Sequence, residues 1–319
     1  MILITGGSGF IGSHFHDFLP NNEIINLDIN EPAFNQQSKF IKGDIRKISD
    51  VRRAIDGNNI KTIISLAAKH HDFGIGHDEY FDTNEDGTRV LCQVAGEFDI
   101  SEIIFYSSVA VYGISDQVSS EEMIPKPDSP YGASKLAGEK VLYEWAEQDP
   151  KRKVLVIRPT LVFGSNNRAN MFNLIRQIDS GYYFHLGKAD NIKSLAYVEN
   201  LVGCTLYLKD KIKSGFTLYN YADEPQLTTR EIATTIAEYL GKKIRLTLPR
   251  WLGIMLGLPF DAFIKLTGKN FPISSSRIKK LGTSTHHSAK KVFSLGFTPK
   301  FSVKDGLKRM VEWYKSQRE

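Results

Sequence analysis

The chain has 319 residues, of which 41% are hydrophobic and 24% charged, as in an ordinary soluble globular protein. Its formal charge of +5 comes from 41 basic and 36 acidic side chains spread along the chain, which gives no case for nucleic-acid binding. No apolar run approaches the roughly 20 residues that span a bilayer. The two cysteines, Cys92 and Cys204, indicate neither a disulfide framework nor a metal site, and we expect a cytoplasmic protein.

The chain opens on a short apolar strand that glycines follow at once. Ile2–Ile4 is too short for a helix and is typical of a buried parallel strand. Gly6 allows a tight turn, Gly9 lets the backbone approach a pyrophosphate, and Gly12 lets a helix pack close to the strand. The amphipathic stretch from Phe10 to Leu19 predicts that helix, whose free N–H groups favour phosphates. This order of elements predicts a dinucleotide site.

A second strand ends in a carboxylate. Ile24–Asp28 has the pattern of a buried strand, and Asp28 follows the glycines at the place where an acid accepts hydrogen bonds from the adenosine ribose hydroxyls. The same carboxylate would repel a 2′-phosphate. The sequence therefore predicts NAD rather than NADP.

Apolar runs and amphipathic stretches alternate through the first half of the chain. Further strands are expected at Phe40–Ile45, Thr62–Ala68, Ile103–Tyr106 and Val154–Ile157, with helices from about Glu79 to Glu97 and from about Tyr131 to Trp145. Beyond about residue 164 the pattern changes to helices near Asn170–Asp179 and Glu199–Leu208, an extended piece at Phe216–Tyr219 and a final helix with Leu307, Met310, Val311 and Tyr314. The alternation predicts an α/β fold of the Rossmann type, a doubly wound parallel sheet that binds ligands beyond the carboxyl ends of its strands.

One apolar stretch, Leu248–Phe260, has two interpretations. Its length favours a buried or half-buried helix of a smaller domain. Alternatively, Trp251, Met255, Leu256 and Phe260 share a lipid-facing surface flanked by basic side chains.

A tyrosine and a lysine lie four residues apart at a predicted helix start. Tyr131 and Lys135 therefore project from one face of the helix. An ammonium group beside a phenol stabilises the phenolate and lowers the phenol pKa from about 10, which makes Tyr131 a usable base near neutral pH. The other interpretation is a surface tyrosine and lysine that merely neighbour each other.

Hydroxyl groups follow the strand Ile103–Tyr106, at the edge of the sheet where a ligand is expected. Ser108 can hydrogen-bond the oxygen from which Tyr131 takes a proton, and can polarise a carbonyl when the hydride returns. Capping of the strand end is the alternative role for Ser107 and Ser108.

Together these motifs resemble the extended short-chain dehydrogenase/reductases, which act mostly on nucleotide-linked sugars. The resemblance is carried by Gly6–Gly12, the serine strand end, the Tyr131/Lys135 pair and Arg158–Gly164, and it covers essentially the whole chain. It implies an NAD-binding Rossmann domain over 1–165, to which part of 190–225 returns, and a smaller discontinuous α/β substrate domain mainly over 166–319. It implies Ser108, Tyr131 and Lys135 as the catalytic residues. The implied cofactor-binding residues are Gly6, Gly9, Phe10, Ile11, Gly12, Asp28, Asp44, Ile45, Leu66, Ala67, Ala68, Asn84, Ser107, Tyr131, Lys135 and Pro159.

A narrower resemblance is to bacterial epimerases that interconvert GlcNAc and GalNAc at C4 while the sugar is linked by diphosphate to undecaprenol. It is carried by Ala68–Asp72, Ser107–Gly113, Lys193–Val198 and Ser275–Lys280, with departures at Lys69 and His70, where that group tends to carry Glu and Arg. It implies a diphosphate-linked sugar substrate contacted by His70, Val109, Asn170, Lys193 and Arg277. It also favours peripheral membrane contact through 250–265, and related enzymes often form homodimers through helices near 79–97 and 130–147.

Several reactions remain open for this set of residues. A 4-epimerase that retains NAD through turnover is favoured, with a net reductase of a 4-keto nucleotide sugar or a steroid-type alcohol dehydrogenase as alternatives. A 4,6-dehydratase is disfavoured because Val109 and Ala110 stand where related enzymes place an extra acid and base. A non-catalytic NAD-binding regulator is the alternative outside enzymes.

Overall fold

The computed structural model describes residues 1–34, 36–69, 76–249, 251–252, 255 and 283–318. The chain divides into two compact units, each made of three segments. The first unit comprises Met1–Val162, Ala196–Asp223 and His287–Lys300. The second comprises Phe163–Leu195, Glu224–His286 and Phe301–Glu319.

Thirteen strands are formed by the described residues. They are β1 Ile2–Thr5, β2 Ile24–Asp28, β3 Lys39–Lys42, β4 Thr62–Ser65, β5 Glu102–Tyr106, β6 Lys153–Pro159, β7 Leu161–Phe163, β8 His185–Leu186, β9 Ile192–Lys193, β10 Leu195–Tyr197, β11 Gly215–Tyr221, β12 Leu227–Thr228 and β13 Thr247–Leu248. Seven of them form one parallel sheet in the order β11-β6-β5-β4-β1-β2-β3. The strand order reverses between β1 and β4, so the carboxyl ends of these two strands mark the crevice in which doubly wound sheets bind ligands. The predicted fold class is confirmed.

The helices of the described residues cover the sheet and build most of the second unit. They are α1 Phe10–His14, α2 Ile48–Ile55, α3 His77–Phe81, α4 Gly87–Glu97, α5 Pro130–Glu147, α6 Asn170–Asp179, α7 Val198–Lys211, α8 Thr229–Leu240, α9 Lys290–Phe293 and α10 Val303–Ser316. Tighter 3₁₀ turns lie at Phe15–Asp17, Asn21–Glu23 and Val109–Tyr112, and a wider π-helical turn joins α3 to α4 at Asp82–Asp86.

Four predicted elements differ from those observed. The strand expected over Phe40–Ile45 ends at Lys42. The helix expected from Phe10 to Leu19 ends at His14 and continues only as a 3₁₀ turn over Phe15–Asp17. The strand expected over Thr62–Ala68 ends at Ser65, since its partner β1 ends at Thr5 and turns away. The helix expected from Glu79 to Glu97 contains the π-helical turn.

The sheet has an apolar cluster on each face. Successive side chains of a strand point to opposite faces, so Leu3 and Ile63 pack on one side with α2, α4 and α5. Ile4 and Ile64 pack on the other side, with α7. Both faces of the sheet are therefore buried, as a doubly wound arrangement requires.

In the second unit α6, α8 and α10 pack against one another. The Phe172 ring meets the rings of Trp313 and Tyr314 edge-on, and the Tyr314 hydroxyl donates to Asp179 at 3.0 Å. The four apolar residues expected on the buried face of the final helix are all buried, namely Leu307, Met310, Val311 and Tyr314.

The stretch Leu248–Phe260 lies mostly outside the described residues. Trp251 and Met255 are described, and they are 62% and 56% exposed. Within the ranges given above, no helix is long and apolar enough to cross a membrane. Cys92 and Cys204 are buried free thiols.

Candidate active site

The turn Gly6–Gly12, hereafter the glycine turn, joins β1 to α1 and depends on glycine at two points. Gly6 has a φ of +72°, and a Cβ there would lie 2.5 Å from the Ala67 nitrogen. A Cβ on Gly12 would lie 2.5 Å from the Gly7 Cα. At Gly9 a Cβ would meet only the Gly6 carbonyl oxygen, at 3.2 Å, so the backbone there is open to a ligand. The glycine turn therefore fits a pyrophosphate.

Asp28 ends β2 beside the glycine turn. Its Oδ2 accepts from the Ser8 N–H at 3.1 Å and its Oδ1 from the Asn30 N–H at 2.9 Å. Burial raises the pKa of Asp28, while these backbone donors act against that rise. Each oxygen keeps a further lone pair with which to accept a ribose hydroxyl. The carboxylate and the glycine turn together fit the adenosine half of a dinucleotide.

Other residues expected to line the cofactor follow neighbouring strands. Asp44 follows β3 and pairs with the Arg46 guanidinium at 2.6 Å, which lowers the pKa of Asp44. Ile45 is buried in the core, where Gly87 leaves room for its side chain. After β4, the Leu66 N–H donates to the Thr5 carbonyl at 2.9 Å, which holds the loop of Leu66, Ala67 and Ala68 against the glycine turn.

The π-helical turn carries Asn84, whose amide ties two segments together. Its Oδ1 accepts from the Lys69 N–H and its Nδ2 donates to the Lys69 carbonyl, both at 3.1 Å. The same Nδ2 donates to the Ser134 hydroxyl on α5 at 2.9 Å. Gly138 makes this approach possible, since a Cβ there would lie 2.5 Å from the Asn84 carbonyl oxygen. Asn84 therefore fixes α5 relative to the loop that follows β4.

The start of α5 is defined by its sequence. The Ser129 hydroxyl accepts from the Gly132 N–H at 3.2 Å, and Pro130 occupies the first helical position, where no amide hydrogen is needed. Gly132 allows this end of the helix to approach the turn Val109–Tyr112, because a Cβ there would lie 2.4 Å from the Ala110 carbonyl oxygen. Tyr131 is thereby held next to the serine strand end.

Lys135 lies one helical turn beyond Tyr131 and is 2% exposed. Its Nζ donates to the Tyr106 carbonyl at 2.8 Å and lies 4.7 Å from the centroid of the Phe105 ring. Burial lowers the pKa of Lys135 to about 7, and the negative charge of Glu139 acts in the opposite direction. An amine poised near neutrality beside a half-buried phenol suits proton transfer.

The two serines after β5 differ in role. The Ser107 hydroxyl donates to the buried Glu139 carboxylate, so it is committed to the protein interior. The Ser108 Oγ accepts from the Ala110 N–H at 3.1 Å and caps the 3₁₀ turn. Ser108 is half-buried, so its hydroxyl hydrogen remains available to a bound substrate.

A buried ion pair was not predicted from the sequence. Arg158, in β6, donates to Glu139 through Nε at 2.8 Å and through Nη2 at 2.5 Å. Its Nη1 donates to the Tyr112 hydroxyl at 2.8 Å, and that hydroxyl donates to Asn220 at 2.9 Å. The signal in the sequence was a glutamate four residues after Lys135, which places its carboxylate on the same helix face. Lys135, Glu139 and Arg158 are called the α5 charge cluster below.

The expected substrate contacts are divided between the two units. Val109 lies in the 3₁₀ turn of the first unit. Asn170 is exposed at the start of α6, and Lys193 is half-buried in β9, both in the second unit. The Lys193 Nζ donates to the Thr283 carbonyl at 2.6 Å, and burial lowers the pKa of this lysine. The remaining two expected contacts, His70 and Arg277, lie outside the described residues.

A parallel sheet with a glycine turn after its first strand, and a Tyr–Lys pair on the helix beside its fifth strand, defines a dinucleotide-dependent enzyme of the Rossmann class. The profile of the NAD dependent epimerase/dehydratase family matches residues 2–222. The chain belongs to this family, which confirms the predicted family, the NAD dependence and the enzyme class.

Known proteins of this family match nearly the full chain. An N-acetyl-α-D-glucosaminyl-diphospho-ditrans,octacis-undecaprenol 4-epimerase of Escherichia coli O157:H7 is 36% identical over 98% of this chain and 94% of its own. A solved UDP-glucose 4-epimerase of Thermotoga maritima with UDP-glucose superposes with a TM-score of 0.79 at 22% identity, covering 100% of this chain and 99% of the other. A UDP-glucuronic acid 4-epimerase of Bacillus cereus in complex with NAD gives 0.77 at 21% identity, with coverage of 100% and 99%. The last two likenesses concern the fold alone.

Proposed function

We propose that the chain is an NAD-dependent 4-epimerase of a diphosphate-linked N-acetylhexosamine. The observation that carries this proposal is the arrangement at the start of α5. A half-buried tyrosine there lies one helical turn from a fully buried lysine amine and against the capped strand end that bears Ser108. This arrangement serves the abstraction of a proton from a secondary alcohol and its return.

In the proposed reaction each side chain has one task. Tyr131 removes the proton of the C4 hydroxyl, with its phenolate stabilised by the Lys135 ammonium. Ser108 donates a hydrogen bond to the same sugar oxygen and polarises the 4-keto group. NAD, which the glycine turn and Asp28 would hold, would supply a reversible acceptor for the C4 hydride. Return of the hydride to the opposite face of the 4-keto sugar would invert C4 with no net redox change.

The residues that follow Ser108 argue against loss of water from the sugar. A dehydratase needs an additional acid and base beside the keto sugar, and Val109 and Ala110 have no titratable side chain. The 4-keto sugar at this site can therefore be reduced again but not dehydrated.

The diphosphate-linked substrate is proposed on two grounds. The relative from Escherichia coli O157:H7, 36% identical over 98% of this chain, is named for a GlcNAc joined by diphosphate to undecaprenol. The second unit of this chain carries Lys193, a half-buried lysine of the kind that binds phosphate oxygens. His70, Val109, Asn170 and Arg277 are the other proposed substrate contacts.

Product analysis tests the proposal directly. Purified protein is given UDP-GlcNAc or polyprenyl-diphospho-GlcNAc without added cofactor, and the sugar is released and analysed for its C4 epimer. We expect GalNAc from at least one substrate and NAD that copurifies with the protein. Steady consumption of NADH with a keto sugar would instead indicate a net reductase, and the absence of a C4 epimer from both substrates would overturn the proposal.

We further propose a homodimer formed through α4 and α5. These helices border a surface cavity of about 330 Å³ lined by Cys92, Trp145 and Arg152, among others. Light scattering on the purified protein should give twice the chain mass. A surface lysine or glutamate introduced at the exposed Tyr143 should lower that mass.

Peripheral contact with the inner face of the cytoplasmic membrane through 250–265 belongs to the same proposal, because a polyprenyl substrate lies in the bilayer. The exposed Trp251 and Met255 support it. Cosedimentation with vesicles of bacterial lipids should capture the protein, and Trp251→Ser should weaken that capture.

A further inference from the structure

The α5 charge cluster holds two cations and one anion out of water. Arg158 and Glu139 have side chains that are 4% and 5% exposed, and Lys135 is 2% exposed. A buried charge is costly unless an opposite charge or donors compensate it. Glu139 is therefore the counter-ion for both Arg158 and Lys135.

Glu139 is not shared equally between the two cations. Arg158 engages both carboxylate oxygens, through Nε at 2.8 Å and Nη2 at 2.5 Å, and Ser107 donates to one of them. Lys135 instead donates to the Tyr106 carbonyl at 2.8 Å. Glu139 lies one helical turn from Lys135, and Arg158 neutralises part of its negative charge. Glu139 therefore stabilises the Lys135 ammonium more weakly than it would without Arg158.

We propose that Glu139 and Arg158 act as a positioning pair that sets how much positive charge Lys135 carries beside Tyr131. Glu139 stabilises the ammonium form of Lys135, and Arg158 limits that stabilisation by holding the carboxylate away. Neither residue touches the substrate in this assignment. Removing the carboxylate and removing the guanidinium must therefore shift the protonation of Lys135 in opposite directions, which a purely structural ion pair does not require.

The charge of the α5 charge cluster is set mainly by its own members. Besides the three members of the cluster, the titratable groups near it among the described residues are Tyr131 on α5, Tyr112 in the 3₁₀ turn and, one residue further out, Glu121 through Asn220 and His287 against the Tyr112 ring. The Tyr106 phenol instead contacts Thr205 on the other face of the sheet. Burial raises the pKa of Tyr112, so this phenol stays neutral while Lys135 titrates. Asn84, Ser107 and Asn220 are neutral at every pH.

A titration of Lys135 tests the proposal without any assay of turnover. The full chain is labelled with ¹³C at lysine Cε, and its NMR spectrum is followed from about pH 5.5 to 10. The Lys135 signal is identified by its absence in Lys135→Met. We expect Glu139→Gln to lower the Lys135 midpoint by about one pH unit and Arg158→Gln to raise it by a similar amount.

Three variants complete the series. Glu139→Asp keeps the negative charge and should restore most of the wild-type midpoint. Arg158→Lys keeps the positive charge but loses the two-point contact, so the midpoint should rise by a smaller amount. Glu147→Gln removes the same charge from an exposed position of the same helix and should leave the midpoint unchanged.

Each outcome of these titrations either supports or overturns the proposal. Shifts of opposite sign in Glu139→Gln and Arg158→Gln support the proposal, whereas shifts of the same sign, or none in folded variants, overturn it. If the charge-removing variants do not fold, Arg158→Lys decides, and a midpoint that stays in place or falls overturns the proposal.

A second measurement uses turnover and therefore rests on the proposed function. In Glu139→Gln the alkaline limit of activity should move to lower pH together with the Lys135 midpoint. A wild-type protein that makes no C4 epimer would defeat the proposed function alone, since the NMR titration needs no substrate.

Discussion

The glycine turn and the α5 charge cluster are built in different ways and have different proposed roles. The glycine turn is built from backbone: Gly6 takes a φ of +72°, and the turn leads into the N-terminus of α1, an end of a helix that favours an anion. The α5 charge cluster is built from side chains that come from a helix and a strand and are buried together. We propose that the first region binds the cofactor by shape and dipole, and that the second adjusts the charge on a reacting group.

Because of this difference, mutations in the two regions should affect cofactor binding and the chemical step separately. Changes in the glycine turn should abolish cofactor affinity before they affect the proton transfer itself. Changes around Tyr131 and Lys135 should affect turnover or titration while the glycine turn and Asp28 still bind the cofactor. The experiments below test that separation in order of the expected effect.

The largest effect is expected for Tyr131→Phe. It removes the proposed base while the ring still packs near Tyr80, whose centroid is 6.4 Å away. Turnover should fall by about 10²- to 10⁴-fold, the usual contribution of a general base, with NAD affinity unchanged by calorimetry. Tyr182→Phe, at an 81% exposed position of the second unit, is the control. Unchanged turnover in Tyr131→Phe would remove the catalytic assignment.

A linkage effect should follow from the burial of Lys135. Its pKa of about 7 in the folded chain lies below the ordinary lysine value of 10.5, so between these pH values the unfolded chain binds a proton that the folded chain lacks. Stability of the cofactor-free wild type should therefore rise with pH above about 7, by about 1.4 kcal/mol per unit relative to Lys135→Met. Guanidinium unfolding of both proteins between about pH 6 and 10 measures this slope.

The matched control for that slope is Lys140→Met. It removes an exposed lysine from the same helix, and its curve should run parallel to that of the wild type because an exposed ammonium is hydrated in both states. If the stability of Lys135→Met also changed with pH in parallel with that of the wild type, Lys135 would not be a buried amine that loses its proton on folding.

The glycine turn is tested by comparing two glycines of nearly equal φ. Gly6 and Gly57 have φ of +72° and +71°, but a Cβ on Gly57 meets nothing within 4 Å. Gly57→Ala should cost about 1 kcal/mol of unfolding free energy, the strain of a left-handed alanine alone. Gly6→Ala should cost more and lose NAD affinity, because its Cβ would lie 2.5 Å from the Ala67 nitrogen. Equal costs would show that this contact is relieved easily.

The sequence predicts the glycine turn and the sheet well because both depend on local patterns. Apolar runs define the strands, and the glycines lie within a dozen residues of one another. The π-helical turn was not predicted from local patterns, and its carbonyl at Asn84 contacts Gly138, a residue far away in sequence.

The ion pair between Glu139 and Arg158 is not predicted from the sequence, for a related reason. From the sequence alone, a glutamate on a helix and an arginine directly after the predicted strand Val154–Ile157 are each most simply explained as solvated charges. Only the packing of α5 against β5 and β6 buries them together. The sequence therefore predicts the residues proposed to react more readily than those that set their charge.

The smallest effect is expected for Asp28→Asn, which tests cofactor choice within the backbone-built region. The amide keeps a similar shape but loses the charge that repels a 2′-phosphate, while its Nδ2 can no longer accept from the Ser8 N–H. NAD affinity should fall about tenfold and the preference for NAD over NADP should shrink by a similar factor. Calorimetry with both cofactors measures this. Because Asp28 lies in the cofactor region, the pH dependence of turnover should stay as in the wild type, and a shifted pH profile would contradict the separation of binding from chemistry.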